Sequence, residues 1–175
     1  MKKTAIIIPS RLEAKRFPNK PLKRINNIPM ILHVINRAKE SKIGEVIVAT
    51  PDDEIFNIVN NSGGKAILTN NNHSSGSDRI YEVYLKQLKD KADIIINLQG
   101  DMPNIKPDCI KKLENFMRRN SCEIGTMASA ISNKNELINP NIVKVIVKKD
   151  LQNNDFLIAE DFFRVKKDIN NKKIY

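Results

Sequence analysis

The sequence predicts an α/β fold built on a doubly wound, mostly parallel β-sheet. Short runs of apolar residues recur along the 175-residue chain, and they alternate with segments whose apolar residues have helical spacing. Several runs are apolar at consecutive positions, which is typical of strands buried on both faces of a parallel sheet. A chain of this length can bury a core of its own.

Three strands and three helices are predicted in the first half of the chain. The strands cover residues 4–9, 45–50 and 65–69, and the helices cover residues 29–41, 52–61 and 77–88. Pro29 suits the first turn of a helix, and Gly63 with Gly64 suits the end of the second helix. Residues 70–76 are predicted to form a polar loop.

The second half continues the alternation of strands and helices. A buried strand is predicted over residues 93–98, a helix over 107–119, and two further strands over 125–131 and 142–147. From Asn153 onward the chain is polar and charged, and no element is predicted there. The repeated order of strand and helix supports the doubly wound architecture.

The charge of the chain invites an interpretation as a nucleic-acid-binding protein. Its formal net charge is +10, from 30 Lys and Arg against 20 Asp and Glu. Most lysines are spread widely, however, and aromatic residues make up only 5 %, which argues against a surface that stacks single-stranded bases. We expect no nucleic-acid partner, and a non-catalytic basic binding module stays as the alternative class of function.

The two cysteines and the N-terminus point to a cytoplasmic protein. Cys109 and Cys122 have no CxxC spacing, so neither a zinc site nor a disulfide framework is predicted. Free thiols fit a reducing compartment. Met1-Lys2-Lys3 runs straight into a short strand that cannot serve as a signal peptide or a membrane span, so we expect no membrane partner.

A basic loop follows the first predicted strand. The strand ends at Pro9, and the polar segment after it contains Arg11, Lys15, Arg16 and Lys20. Ligands of open α/β sheets bind outside the carboxyl ends of the strands. Four cations at such a place suit a polyanion, most simply a nucleoside triphosphate. On charge alone, a solvated loop without a ligand is the simpler interpretation.

The loop after the strand at residues 93–98 carries Gln99-Gly100-Asp101. Gly100 allows a close approach of the backbone, and Asp101 offers a carboxylate that can hold Mg²⁺ together with phosphate oxygens. Gln99 offers both a donor and acceptors, as recognition of a base edge requires. Taken alone, Asp101 could equally cap the next element.

A third polar segment, residues 73–79, leads into the helix predicted from residue 77. The N–H groups at the beginning of that helix could meet an anion or a base. The simpler interpretation is that Ser77 or Asp78 is the N-cap and that His73 is structural. Because all three loops follow strands of one predicted sheet, we expect them to lie at one edge of it.

Five segments occur in the order and spacing of one enzyme family, and they cover residues 8–22, 48–50, 73–79, 97–103 and 139–145. Over roughly residues 4–150 the chain resembles the 3-deoxy-manno-octulosonate (Kdo) cytidylyltransferases, also called CMP-Kdo synthetases. The basic loop and Gln99-Gly100-Asp101 together are specific to this family, whereas either alone fits several sugar nucleotidyltransferases. The resemblance implies a Rossmann-like fold of the nucleotide-diphospho-sugar transferase type.

The resemblance implies an activity and a set of site residues. The activity is transfer of a cytidylyl group from CTP to Kdo, with release of pyrophosphate, for lipopolysaccharide biosynthesis. Arg11 and Lys20 are assigned to the triphosphate and Asp101 to Mg²⁺, as the catalytic residues. The substrate-binding residues are Ser10, Arg16, Ser77, Arg79 and Gln99. A homodimer is also implied, with a nucleotide-binding domain over residues 1–134 and the beginning of a dimerisation and sugar-binding region over 135–175.

The chain departs from the family in four respects. Met102 stands where many relatives have Glu, which removes a charge near the metal, and Ser10 stands where Ala is common. The nearest counterpart of the family's Tyr-Phe-Ser-Arg segment is residues 161–164. The family also continues past residue 175, so we expect a truncated chain with an incomplete sugar site. The alternatives are an inactive nucleotide-binding fragment and a cytidylyltransferase for a related 2-keto acid sugar, either amino-Kdo or a sialic acid.

Overall fold

The computed structural model describes residues 3–13, 17–120, 122–150, 156–165 and 173–175. The chain divides into two compact units, Met1–Arg118 and Arg119–Tyr175. This division lies earlier in the chain than the predicted boundary between residues 134 and 135.

The elements over residues 4–120 follow the predicted alternation of strands and helices, apart from a short hairpin between the first strand and the first helix. In chain order they are β1 (Thr4–Pro9), a 3₁₀ turn (Lys20–Leu22), β2 (Arg24–Ile25), β3 (Ile28–Pro29), α1 (Met30–Glu40), β4 (Gly44–Thr50), α2 (Asp53–Asn61), β5 (Ala66–Leu68), α3 (Gly76–Val83), a π-helical turn (Tyr84–Leu88), β6 (Ile94–Asn97) and α4 (Pro107–Asn120).

A four-stranded parallel sheet forms the centre of the first unit, in the order β5-β4-β1-β6. The fully buried Ile6 and Ile8 of β1 join one apolar cluster, with residues of α1, α2 and α4, while Ile7 joins a second cluster with residues of α3. Consecutive apolar residues are therefore covered by helices on both faces of the sheet. The predicted doubly wound parallel sheet is confirmed.

The helices begin and end where local sequence favours it. In α1 the buried residues Ile31, Val34, Ile35 and Ala38 have the predicted helical spacing. At the start of α3, the Ser75 hydroxyl accepts from the Asp78 N–H and the Asp78 carboxylate accepts from the Ser75 N–H. The N-cap is therefore Ser75 rather than Ser77 or Asp78.

Within the described ranges, the helices all lack the length and apolarity that crossing a bilayer requires.

The hairpin formed by β2 and β3 was not predicted from the sequence. Asn26 and Asn27 join the two strands with φ angles of 48° and 64°, which is the left-handed geometry of a type I′ turn. Asn tolerates this geometry better than most residues do. Pro29, which was predicted to lie inside a helix, is the last residue of β3 and precedes α1.

The second unit contains α5 (Lys134–Ile138) and an antiparallel sheet of β7 (Lys144–Val147), β8 (Ala159–Phe163) and β9 (Lys173–Ile174), in the order β8-β7-β9. Only β7 was predicted. The Lys144 side chain is fully buried, and its ammonium group donates to the carbonyls of Asn139 and Arg164 at 2.5 and 2.6 Å. These carbonyls satisfy a cation that would otherwise be costly to bury.

The predicted strand over residues 125–131 is wrong. These residues are irregular and mostly exposed, and they pair with no strand in the described part of the chain. The segment holds only two β-branched residues, Thr126 and Ile131, among Gly, Met, Ala and Ser. Small side chains provide little cross-strand packing, so the segment does not form a strand without a partner.

Candidate active site

A cleft of about 290 Å³ lies at the carboxyl ends of β1 and β6. Three loops line it, namely those that follow β1, β5 and β6, as expected for an open α/β sheet. The described lining residues are Pro9, Ser10, Arg11, Lys20, Pro21, His73, Ser74, Ser75, Gly76, Arg79, Gln99, Gly100 and Asp101. The prediction that the three loops meet at one edge of the sheet is confirmed.

Six of the eight site residues assigned by the resemblance line this cleft, namely Ser10, Arg11, Lys20, Arg79, Gln99 and Asp101. Ser77 does not line it, because it lies in the first turn of α3 and borders a separate depression beside Ile80 and Tyr81. Arg16 lies outside the described residues. The individual roles of these residues stay predictions.

An ion pair joins the basic loop to the loop after β6. Lys20 Nζ lies 2.7 Å from Asp101 Oδ2, although 81 positions separate the two residues in the sequence. Their side chains are 35 % and 50 % exposed, so the pair adds little to the stability of the fold. Both groups are instead accessible to a ligand that brings a phosphate for Lys20 and a cation for Asp101.

The basic loop is anchored by Asp52, a residue that was not predicted from the sequence. The Asp52 carboxylate accepts from the Leu12 N–H at 2.8 Å, and the Asn19 N–H donates to the Leu12 carbonyl at 3.0 Å. Asp52 follows the carboxyl end of β4, so its position at the same edge of the sheet was the available signal. Leu12 is thus held at both of its backbone polar groups, next to the cleft-lining Arg11.

Arg79 is buried to 3 % exposure and holds the loop after β5. Its guanidinium group donates to the Thr69 hydroxyl and to the Asn70 carbonyl, the latter at 3.0 Å. Burial and the positive charge of Arg11 lower the pKa of Arg79, while the carboxylates of Asp52 and Glu82 partly offset this. The site therefore concentrates cations that an anionic ligand would neutralise.

The donor set of the cleft fits Mg²⁺ that is shared with a phosphate ligand. Of the described lining residues, only Asp101 carries a carboxylate. No group of three or more His, Cys, Asp or Glu placed to hold a metal occurs within the described ranges. Mg²⁺ in nucleotide sites is usually held by one or two carboxylates together with substrate phosphates. The described residues therefore fit an ion that phosphate oxygens help to hold.

Glu82 has three partners and an unusually low pKa. Burial opposes ionisation of its carboxyl group, but hydrogen bonds from Lys86, His73 and the Asn70 N–H outweigh burial and lower the pKa from 4.5 to about 2. The stability that this depressed pKa contributes is fully present above pH 4.5 and is lost as the pH falls towards 2.

We therefore expect the free energy of unfolding to fall more steeply between pH 4.5 and pH 2 in the wild type than in Glu82→Gln. Urea titrations across this range measure both slopes. Parallel slopes for the two proteins would contradict this interpretation of the carboxylate.

Comparison with known proteins identifies relatives of known class. The chain matches the sequence model of the Cytidylyltransferase family over residues 5–174. It is 46 % identical over 153 residues to the 3-deoxy-manno-octulosonate cytidylyltransferase of Thermodesulfovibrio yellowstonii, an alignment that covers 84 % of this chain and 60 % of that protein. The corresponding enzyme of Rhodopseudomonas palustris is 44 % identical over 145 residues, which cover 82 % of this chain and 59 % of that protein. The chain thus spans about three fifths of the length of these relatives.

Solved structures agree with the sequence relatives. CMP:2-keto-3-deoxy-manno-octonic acid synthetase complexed with CTP superposes with a TM-score of 0.84 at 39 % identity, and the match covers 97 % of this chain and 67 % of that one. A cytidylyltransferase from Leptospira borgpetersenii superposes with a TM-score of 0.60 at 23 % identity over 69 % of this chain and 50 % of that one, which shows a shared fold. Since the family's sequence model matches nearly the whole chain, this protein belongs to the cytidylyltransferase family.

Proposed function

We propose that this chain binds CTP in the cleft and transfers its cytidylyl group to Kdo, giving CMP-Kdo and pyrophosphate. The ion pair between Lys20 and Asp101 carries the proposal, because it places a phosphate-binding cation and a metal-binding carboxylate 2.7 Å apart. The names of the sequence relatives and the CTP complex of the structural neighbour support the choice of nucleotide and sugar.

The chemistry follows from charge and position. Arg11 and Lys20 neutralise the triphosphate and then the charge that develops on the departing pyrophosphate. Asp101 would hold Mg²⁺, which when bound would further neutralise phosphate charge. Gln99 orients the nucleotide. The anomeric hydroxyl of Kdo forms a bond to the α-phosphorus as the bond from that phosphorus to pyrophosphate breaks in line with it, and the hydroxyl proton passes to solvent water.

Release of pyrophosphate from CTP in the presence of Mg²⁺ tests this proposal. Kdo, amino-Kdo and a sialic acid serve as alternative acceptors, and duplex DNA serves as a competitor. We expect release with Kdo, little release with the other sugars, and no inhibition by DNA. Release with a sialic acid alone would change the assigned substrate, and DNA binding without any turnover would favour the basic binding module.

Ser10 provides a prediction that links stability to binding. The residue is 6 % exposed and lines the cleft, and its Oγ has no hydrogen-bond partner among the described residues. A buried hydroxyl without a partner is destabilising by about 1–3 kcal/mol. We expect Ser10→Ala to raise the free energy of unfolding of the free protein by about 1 kcal/mol and to weaken CTP binding a few-fold.

Urea titration and calorimetry with CTP measure the two effects of Ser10→Ala. Loss of stability in the free variant would show that the hydroxyl has a partner in the fold. Unchanged affinity for CTP would show that bound CTP makes no hydrogen bond to the Ser10 hydroxyl.

We further propose that the protein is a cytoplasmic homodimer that serves lipopolysaccharide biosynthesis. The resemblance to the family motivates each of these assignments. Several apolar side chains of the second unit are exposed, which suits association with another chain, namely Ile138, Val143, Phe162 and Val165. Sedimentation equilibrium tests the dimer, and a monomer at micromolar concentration would argue against it.

A further inference from the structure

The loop between β5 and α3 supplies His73, Ser74 and Ser75 to the lining of the cleft, and Gly76 at the beginning of α3 adds a fourth residue. The loop is polar and has no regular secondary structure up to the beginning of α3. Its position therefore depends on the hydrogen bonds that its backbone and side chains make to neighbouring elements.

Two residues of α3 hold the beginning of this loop at Asn70. The Arg79 guanidinium donates to the Asn70 carbonyl at 3.0 Å, and the Glu82 carboxylate accepts from the Asn70 N–H at 2.9 Å. Arg79 and Glu82 are three residues apart, so they lie on one face of the helix. Both polar groups of the Asn70 backbone are thus fixed by the same helix.

Glu82 also contacts the wall of the cleft directly. The oxygen that accepts from Asn70, Oε2, contacts His73 Nε2, whereas the other oxygen, Oε1, accepts from Lys86 Nζ. The side chains of Glu82 and His73 are 18 % and 20 % exposed, but that of Lys86 is 51 % exposed. The contact with His73 is therefore partly shielded from solvent, whereas the bonds to Asn70 and Lys86 are exposed. Exposed ion pairs such as that with Lys86 contribute little.

We propose that Glu82 is a positioning residue of the nucleotide site, which sets the place of His73 and of the cleft-lining loop. This inference rests on the proposed function, since it concerns the affinity of the same cleft for CTP. A carboxylate with only a structural role would stabilise the fold and leave the affinity of the folded protein unchanged. A positioning residue changes that affinity even where the variant is fully folded.

Calorimetric titration with CTP distinguishes the two roles. It compares the wild type with Glu82→Ala, Glu82→Gln and Lys86→Ala, at a temperature where circular dichroism shows each protein to be folded. We expect Glu82→Ala to weaken CTP binding about tenfold, because the cleft wall would move away from the position in which it contacts the nucleotide. Glu82→Gln still accepts from the Asn70 N–H and is expected to lose only about threefold. Lys86→Ala, which removes the surface partner alone, is expected to bind as the wild type does.

A double-mutant cycle tests the route through His73. If Glu82 acts through His73, the loss of CTP affinity caused by Glu82→Ala falls from about tenfold to about threefold when His73 is already replaced by Ala. Wild-type affinity in folded Glu82→Ala would overturn the proposal, and so would an undiminished loss in the His73→Ala background. Failure of the wild-type chain to bind CTP would instead refute the proposed function, and this inference with it.

Discussion

Replacing Asp101 by Ala is expected to lower the rate of pyrophosphate release by on the order of 10²- to 10³-fold. Asp101 is the only carboxylate among the described residues that line the cleft, so no other described lining residue can offer a carboxylate to Mg²⁺ in its place. Without divalent cations the same substitution is expected to strengthen CTP binding, because Lys20 loses its 2.7 Å partner and becomes free for phosphate. This reversal of sign distinguishes a metal ligand from a residue that merely shapes the cleft.

Asp108→Ala is the matched control. Asp108 lies on α4, its side chain is 84 % exposed, and Lys111 Nζ lies 3.8 Å from its carboxylate. We expect this variant to turn over and bind CTP as the wild type does. An equal loss of the rate of pyrophosphate release in both variants would contradict the assignment of Asp101 as a metal ligand. Weaker CTP binding by Asp101→Ala in the absence of metal would contradict it as well.

Replacing Gly44 by Ala is expected to lower the free energy of unfolding by about 3 kcal/mol or more. Gly44 pairs with Thr4 in the sheet, and a Cβ at residue 44 would lie 1.8 Å from the Thr4 carbonyl oxygen. Thr4 cannot easily move away, because it is 5 % exposed and its hydroxyl contacts Glu114 and Arg118. The added methyl group must therefore separate β1 from β4.

Gly63→Ala provides the control for this substitution. Gly63 has a φ of 70°, and a Cβ there would meet nothing within 4 Å. Only backbone strain of about 1 kcal/mol is expected. Urea denaturation of the two variants measures the difference, and a cost for Gly44→Ala no larger than that for Gly63→Ala would show that the sheet accommodates the methyl group.

The strands and helices that are stabilised by burial of apolar side chains could be predicted from the sequence. The apolar run of β1 and the helical spacing of α1 both follow directly from which residues must leave water. The hairpin at Asn26 and Asn27 was missed because its strands have two residues each and no apolar pattern, although the paired Asn residues were a usable turn signal. The strand prediction at residues 125–131 was wrong because an apolar pattern in the sequence does not show whether a neighbouring strand is available for pairing.

The candidate site was predictable where loops follow strands, and less so where helices support those loops. Lys20 and Asp101 could be placed at one edge because parallel strands end together. Glu82 was missed because a carboxylate on an amphipathic helix resembles any surface residue until its contacts are known. The spacing of three between Arg79 and Glu82 was a signal that both could face the same loop.

Amide chemical shifts on addition of CTP and Mg²⁺ test most directly whether this cleft is the nucleotide site. Gly76 and Gly100 line the cleft, whereas Gly63 follows α2 and does not, so the glycine resonances provide both probe and control. We predict saturable shifts of the Gly76 and Gly100 signals with the Gly63 signal unchanged. Shifts at Gly63 without shifts at Gly76 and Gly100, or no shifts at millimolar CTP, would contradict the assignment of the cleft as a CTP site.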